Sequence, residues 1–206
     1  MYLFFDTETT GLPKVQGAPL TKLNNWPRMV QLAWLLYDKN QNLISKADYI
    51  IKPEGFTIPA DASNVHGITT EKAFESGVHL DAVLHEFSEV IPKSEIIIAH
   101  NMDFDDKIVG AEFLRSGVES ALFDKPRFCT MKTTTELCQI PGPYGYKWPK
   151  LSELHYHLFK KDFEDAHDAA VDVKACMKCF FELMRVGFIK NALYNHKVEV
   201  HRHGRC

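Results

Sequence analysis

This 206-residue sequence predicts a mixed α/β fold, a partly parallel central sheet with helices on both faces. Three observations carry that reading. Two stretches rich in bulky apolar residues, 2–8 and 29–37, have strand character, and a third follows the second across a polar turn, the order of an antiparallel meander. From there to the end, helical periodicity alternates with short strand-like runs, as when strands are joined by crossover helices. One of those runs, Glu95-Ile96-Ile97-Ile98-Ala99, is continuously apolar and β-branched, the pattern of a strand covered on both faces.

Along the first strand Tyr2, Phe4, Asp6 and Glu8 share one face, and Leu3, Phe5 and Thr7 share the other. Thr10-Gly11-Leu12-Pro13 ends it, and the polar, proline-containing residues 14–28 read as a loop. The second strand occupies 29–37, a turn 38–42 and the third strand 43–52. A short helix is expected over 60–65 and a longer one over 80–91, where Leu80, Val83, Leu84, Phe87 and Val90 form one stripe. The central strand at 95–99 leads into a helix from about Asp103, which stops at Gly117, a residue suited to the left-handed position after a helix. Residues 127–131 read as a strand and 141–146 as a loop, in a stretch that carries Tyr144, Tyr146 and Trp148; helices are expected over 151–159 and 168–186. One domain, 1–188, with a short tail, 189–206, accounts for the whole chain.

Composition narrows the class. A hydrophobic content of 45% is enough for a sizeable core, and a net charge of −3 argues against a passive grip on a nucleic-acid backbone. It leaves room for an enzyme whose bound metal supplies positive charge locally. The start, Met1-Tyr2-Leu3-Phe4-Phe5-Asp6, lacks the basic and long apolar regions of a signal peptide, and no run is long enough to span a membrane, so a cytoplasmic protein with no membrane partner is expected. Five cysteines, an odd number, then read as reduced thiols. Cys176-Met177-Lys178-Cys179 lies in a helical segment with no second pair at zinc spacing.

Three segments hold the acids that matter: Asp6-Thr7-Glu8-Thr9-Thr10-Gly11, His100-Asn101-Met102-Asp103-Phe104-Asp105 and His167-Asp168-Ala169-Ala170-Val171-Asp172. Singly, each has an ordinary reading. Asp105 suits a helix first turn, Asp172 a solvated helix face, His167 the surface, His66 a turn and Phe104 the core. Together they set carboxylates on or just after apolar segments, and carboxylates at the edge of a core are costly unless something pairs with them, which points to a divalent metal. Asp6 and Glu8 close one strand and His100 to Asp105 follow another, so two of the motifs point to one edge of the sheet, where ligands of such sheets gather.

In this order and at these separations, D-x-E-T-T-G, H-N-x-x-F-D and H-x-A-x-x-D resemble the DEDDh subgroup of the DnaQ-like 3′→5′ exonucleases. Val65-His66-Gly67-Ile68-Thr69 and Lys150-Leu151-Ser152-Glu153-Leu154 add to the resemblance, which runs from residue 2 to about 185. It implies a ribonuclease H-like fold. It also implies Asp6, Glu8, Asp105 and Asp172 as metal-binding carboxylates and His167 as general base. Thr9, Gly11 and Leu12 match a segment that cradles the terminal nucleotide, and His66, Asn101 and Phe104 match positions lining the same pocket. The loops 13–27 and 141–149 are longer than in the family's shorter members, and loops beside a site shape its mouth.

The chemistry agrees. Phosphodiester hydrolysis needs a strong nucleophile, stabilisation of an anionic transition state and help for the leaving oxygen, and two divalent cations roughly 4 Å apart supply all three. Mg²⁺ and Mn²⁺ take oxygen ligands, and the three acidic motifs contain no cysteine thiolate. His167 falls five residues before Asp172 at a helix entry, with Asp168 as the candidate N-cap, a place from which an imidazole can take a proton. The expected partner is the 3′ end of a nucleic acid, DNA rather than RNA and single-stranded, with a DNA polymerase as a candidate protein partner. The rival reading is a catalytically silent nucleic-acid-binding or interaction module on the same fold.

Overall fold

The computed structural model describes residues 1–163 and 167–189. A five-stranded sheet in the order β3-β2-β1-β4-β5 forms its centre. The strands are β1 (Tyr2–Thr9), β2 (Met29–Tyr37), β3 (Leu43–Ile50), β4 (Ile96–Ala99) and β5 (Arg127–Cys129). The first three form the antiparallel meander, and β4 and β5 are parallel to β1. The helices are α1 (Ala60–His66), α2 (Thr70–Ser76), α3 (Leu80–Val90), α4 (Met102–Ser116), α5 (Thr130–Thr133), α6 (Thr135–Cys138), α7 (Leu151–Phe159) and α8 (Ala169–Arg185). A small hairpin, β6 (Pro141–Gly142) and β7 (Gly145–Tyr146), precedes α7.

Strand alternation divides the core in two. Leu3, Phe5, Leu32, Trp34 and Leu36 point to one face, where they meet the α3 stripe Leu80, Val83, Leu84, Phe87 and Val90 and Ile108 and Val109 of α4. Phe4, Ala33, Leu35 and Ile98 point to the other, against Val173, Cys176 and Phe180 of α8. Removing each large side chain from water favours the fold by roughly 1.5–3 kcal/mol. This is why β2, whose neighbours pair with it on both sides, carries apolar residues at nearly every position.

The short elements depart from expectation. Residues 70–76 hold α2, whose N-terminus is capped by Thr69 Oγ1, which accepts from Lys72 N–H at 3.1 Å; the helix buries only Ala73, so no apolar repeat marks it. The strand expected over 127–131 stops at Cys129, because Thr130 opens α5. Residues 141–146, expected as a loop, pair as the β6–β7 hairpin. The central strand and α4 begin one residue later and one earlier than expected, at Ile96 and Met102. Ile189 is fully buried in the second core, and the rest of the expected tail lies outside the described residues. Cys176 and Cys179 are also buried, and burial pushes both thiols up, Cys179 to about 12. Among the described residues no helix is long and apolar enough to cross a membrane.

Candidate active site

The site is built where β1 outruns its parallel neighbour. Pairing with β4 covers Tyr2 to Phe4 and no further, since β4 ends at Ala99 and the chain turns into α4 through Asn101, which adopts a left-handed conformation, φ 69°. The first turn of α4 therefore comes down beside the free end of β1. It brings Asp105, whose Oδ1 accepts from the Thr7 N–H at 3.1 Å and the Thr7 hydroxyl at 2.7 Å.

The opposite face of β1 carries Asp6 and Glu8, and α8 lies across it. Asp168 caps that helix, its Oδ1 accepting from Ala170 N–H at 2.9 Å and Val171 N–H at 3.3 Å, as expected. Asp172 then falls in the first turn. Gln31, opposite Glu8 in the sheet, fixes the helix start: its Oε1 accepts from Ala169 N–H at 3.2 Å and its Nε2 donates to Asp48 at 2.7 Å. Asp6, Glu8 and Asp172 each offer a carboxylate oxygen within 4.8 Å of the others. Asp105 reaches the same end of the sheet from the other layer.

Crowding these groups has an electrostatic cost. Burial first, then Asp172 and Asp105, push Glu8 up to about 8. Asp6 is raised well above the usual carboxylate range by burial and then by Asp105, Asp172 and Glu8. Burial raises Asp105 despite the two bonds from Thr7, and raises Asp172 despite the His167 N–H. Asp172 Oδ1 is buried without a partner among the described residues. Mutually repelling carboxylates with an unpartnered oxygen, and oxygen donors alone, fit a hard divalent cation. Asp6, Glu8 and Asp172 are placed to hold one, with Asp105 beside them.

The other expected residues divide. The His167 N–H donates to Asp172 Oδ2 at 3.1 Å, while the residue itself is exposed. Thr9 Oγ1 donates to the Gly11 carbonyl at 2.7 Å, and Gly11 (φ 141°) takes a conformation that side chains disfavour. Leu12 is exposed. His66 is buried: its Nδ1 accepts from Ile68 N–H at 3.2 Å, so Nε2 carries the hydrogen, and the ring faces the backbone of Thr9. Thr9, Gly11 and His66 thus stand together. Asn101 and Phe104 sit at the start of α4 near Asp105, but Phe104 packs against the first core.

Two supporting roles were not foreseen. His100 Nε2 donates to the Pro149 carbonyl at 3.0 Å and Nδ1 accepts from the Thr130 hydroxyl at 2.9 Å; burial pushes its pKa down to about 4, so the ring stays neutral. Glu112 is completely buried and its Oε1 accepts from Arg28 Nε and Met29 N–H, both at 2.9 Å, with Arg115 at 3.0 Å. Arg28 in turn is bonded to Thr10 through both backbone groups, so the residues after the first acidic motif are tied to α4. A glutamate next to the apolar residues Ile108, Val109 and Phe113 was the signal in the sequence for this pair.

A family model described as an exonuclease, RNase_T, matches residues 3–180. Over 200 residues, 97% of this chain, the sequence is 29% identical to the DNA polymerase III PolC-type of Listeria innocua, of which the match spans 12%. It is 27% identical over 198 residues to the uncharacterized exonuclease CP81 of Escherichia phage 186, covering 90% of this chain and 89% of that one. Among solved structures, E. coli exonuclease I in complex with a dT13 oligonucleotide matches with a TM-score of 0.72 at 22% identity, over 95% of this chain and 44% of that one. That likeness shows the fold, the ribonuclease H-like arrangement of mixed sheet and helices. The chain spans only about an eighth, 12%, of the polymerases it matches.

Proposed function

The chain belongs to the RNase_T exonuclease family, and on that premise we propose that it is a metal-dependent 3′→5′ exonuclease releasing nucleoside 5′-monophosphates. The observation that carries this reading is the convergence of Asp6, Glu8 and Asp172 within 4.8 Å at the end of the sheet where Asp105 also arrives. These four carboxylates would hold two divalent cations, Mg²⁺ or Mn²⁺. When bound, the ions supply activation of water and neutralisation of charge on the phosphate and leaving oxygen.

The chain's own groups do the rest. His167 is anchored through its backbone at Asp172, which leaves the exposed imidazole able to take a proton from the attacking water. The water oxygen bonds to phosphorus, the bond from phosphorus to the 3′ oxygen breaks, that oxygen takes a proton from solvent to become the new 3′ hydroxyl, and the terminal nucleotide leaves with its 5′ phosphate. Thr9, Gly11 and Leu12 cradle that nucleotide, with the His66 Nε2–H as a donor and Asn101 and Phe104 lining the pocket from α4. The match to a polymerase and to a structure holding dT13 supports single-stranded DNA as substrate and a DNA polymerase as candidate partner. A domain over 1–188, extended by the buried Ile189 and acting in the cytoplasm, completes the reading.

The test is degradation of matched single- and double-stranded DNA and RNA, labelled at the 5′ end, with Mn²⁺ and with chelator. A ladder that shortens from the 3′ end and keeps its label, abolished by chelator, is expected. Early release of the labelled nucleotide would reverse the polarity, and intact substrates would leave only a silent module.

A further inference from the structure

The β6–β7 hairpin and the residues after it form a surface that the proposed reaction does not use. Tyr144 is 102% exposed, Trp148 59% and Tyr146 46%. Scattered exposed aromatics are ordinary, but three within the five residues 144–148 make an apolar patch that the described residues leave open to water. Lysines surround it. Lys132 Nζ lies 5.8 Å from the centre of the Trp148 ring and pairs with Asp103, Lys147 pairs with Glu153 at 2.5 Å, and Lys150 is exposed. Two of these lysines are paired with carboxylates, and Lys150, two residues after Trp148, forms no ion pair among the described residues and leaves one ammonium group free for an anion.

The patch is fastened to the start of α4. His100, which precedes α4, donates to the Pro149 carbonyl at 3.0 Å and so holds the hairpin's exit. Lys132 bridges Trp148 to Asp103, two residues before Asp105. Trp148 is thus linked through Lys132 to the first turn of α4, the turn that also carries Asp105.

We propose that this hairpin is a stacking platform for the bases of a single-stranded nucleic acid, upstream of the terminal nucleotide held at the carboxylates. The polarity of that strand rests on the exonuclease reading given above. Every base has a π face, so Tyr144, Tyr146 and Trp148 hold a strand without reading its sequence, and the lysines follow its phosphates. DNA and RNA share this chemistry. Losing one stacked base weakens binding roughly 5- to 150-fold.

The test is fluorescence anisotropy of 5′-fluorescein-labelled dT12 with Ca²⁺ in place of Mn²⁺, the oligonucleotide being checked for integrity afterwards, and with unlabelled dT2, dT12 and rU12 as competitors. For Tyr144→Ala and for Tyr144→Ala combined with Trp148→Ala, affinity for dT12 is expected to fall at least about fivefold, that for dT2 to fall less, and Tyr144→Phe to retain wild-type affinity. A parallel fall for rU12 makes the platform general for single strands; no affinity of the wild type for rU12 assigns it to DNA. The proposal is overturned if the wild type binds neither strand, if the alanine variants bind dT12 as the wild type does, or if dT2 and dT12 weaken equally. Wild-type protein that binds through the hairpin yet releases no nucleotide with Mn²⁺ would sink the exonuclease reading and leave the platform standing.

Discussion

The main-chain N–H of His167 donates to Asp172 while the residue stays exposed. His167→Ala keeps that backbone donor and removes only the imidazole. The expected result is a fall in kcat of about 10²- to 10⁴-fold, the usual contribution of a positioned proton acceptor, with the rise in Tm on adding Mn²⁺ preserved. A variant that loses the Mn²⁺ effect at a near-normal saturated rate would make His167 a ligand instead. Asp172→Asn tests the neighbouring group. Its carboxylate has one unpartnered oxygen and repels Asp6 and Glu8, so an amide in its place relieves repulsion and offers them a donor. Thermal melting in chelator should show an apo variant at least as stable as the wild type, while hydrolysis falls by orders of magnitude; an active variant would return Asp172 to an ordinary helix face. At this scale the acids were legible in the sequence because they recur in spaced motifs. The roles of His100 and Glu112 were not, because each is defined by a partner far along the chain, Pro149 and Thr130 for one and Arg28 and Met29 for the other.

The element that sets the metal site is α8, and aromatic packing holds it down. Phe180 lies 5.4 Å from the rings of Tyr2 and Phe4 and 5.3 Å from that of Phe128, and it is fully buried. Phe180→Ala removes the ring from that layer and is expected to cost about 3–5 kcal/mol, read from urea unfolding. The same variant should need more Mn²⁺ for half-maximal activity, since the helix that tilts is the one carrying Asp172; destabilisation with an unchanged Mn²⁺ requirement would mean that Gln31 and Asp168 alone fix its first turn. Long elements such as α3 and β2 were legible because repeated apolar positions reinforce one period. The helices α2, α5 and α6 bury Ala73, the adjacent pair Thr130 and Met131, and no residue respectively, so no apolar repeat marks them. The β6–β7 hairpin went unread because its strands are two residues each and rich in proline and glycine, composition that reads as loop.

Across the molecule, the carboxylate cluster couples stability to both pH and metal. Glu8 is raised from 4.5 to about 8, and Asp6, Asp105 and Asp172 move in the same direction. A carboxyl whose folded value exceeds its unfolded value binds more protons when folded. Its contribution is fully present below the unfolded value, about 4.5, and is lost as pH rises through the folded value, about 8. Chelated protein should therefore lose Tm progressively across that window, and Mn²⁺ should restore it at the alkaline end by an amount growing as RT ln(1 + [metal]/Kd). Melting curves in chelator and in millimolar Mn²⁺ across that window check the sign; a chelated protein that gains Tm toward pH 8, or one indifferent to Mn²⁺, would contradict the charged cluster.

The sequence by itself determined the mixed α/β class, the meander, the buried central strand and the three acidic motifs, because each depends on residues near one another in the chain: alternation at period two, periodicity at 3.6 and short fixed spacings. Tertiary structure decided the rest. It set the early end of β4 beside the longer β1, which opens the gap for Asp105. It brought Asp172 from α8 to Asp6 and Glu8 from the opposite layer. It also turned His100 and Lys132 into fasteners for an exposed aromatic hairpin. These contacts join residues up to well over a hundred positions apart, and what fixes them is the packing of two helical layers on a twisted sheet, which no local pattern encodes.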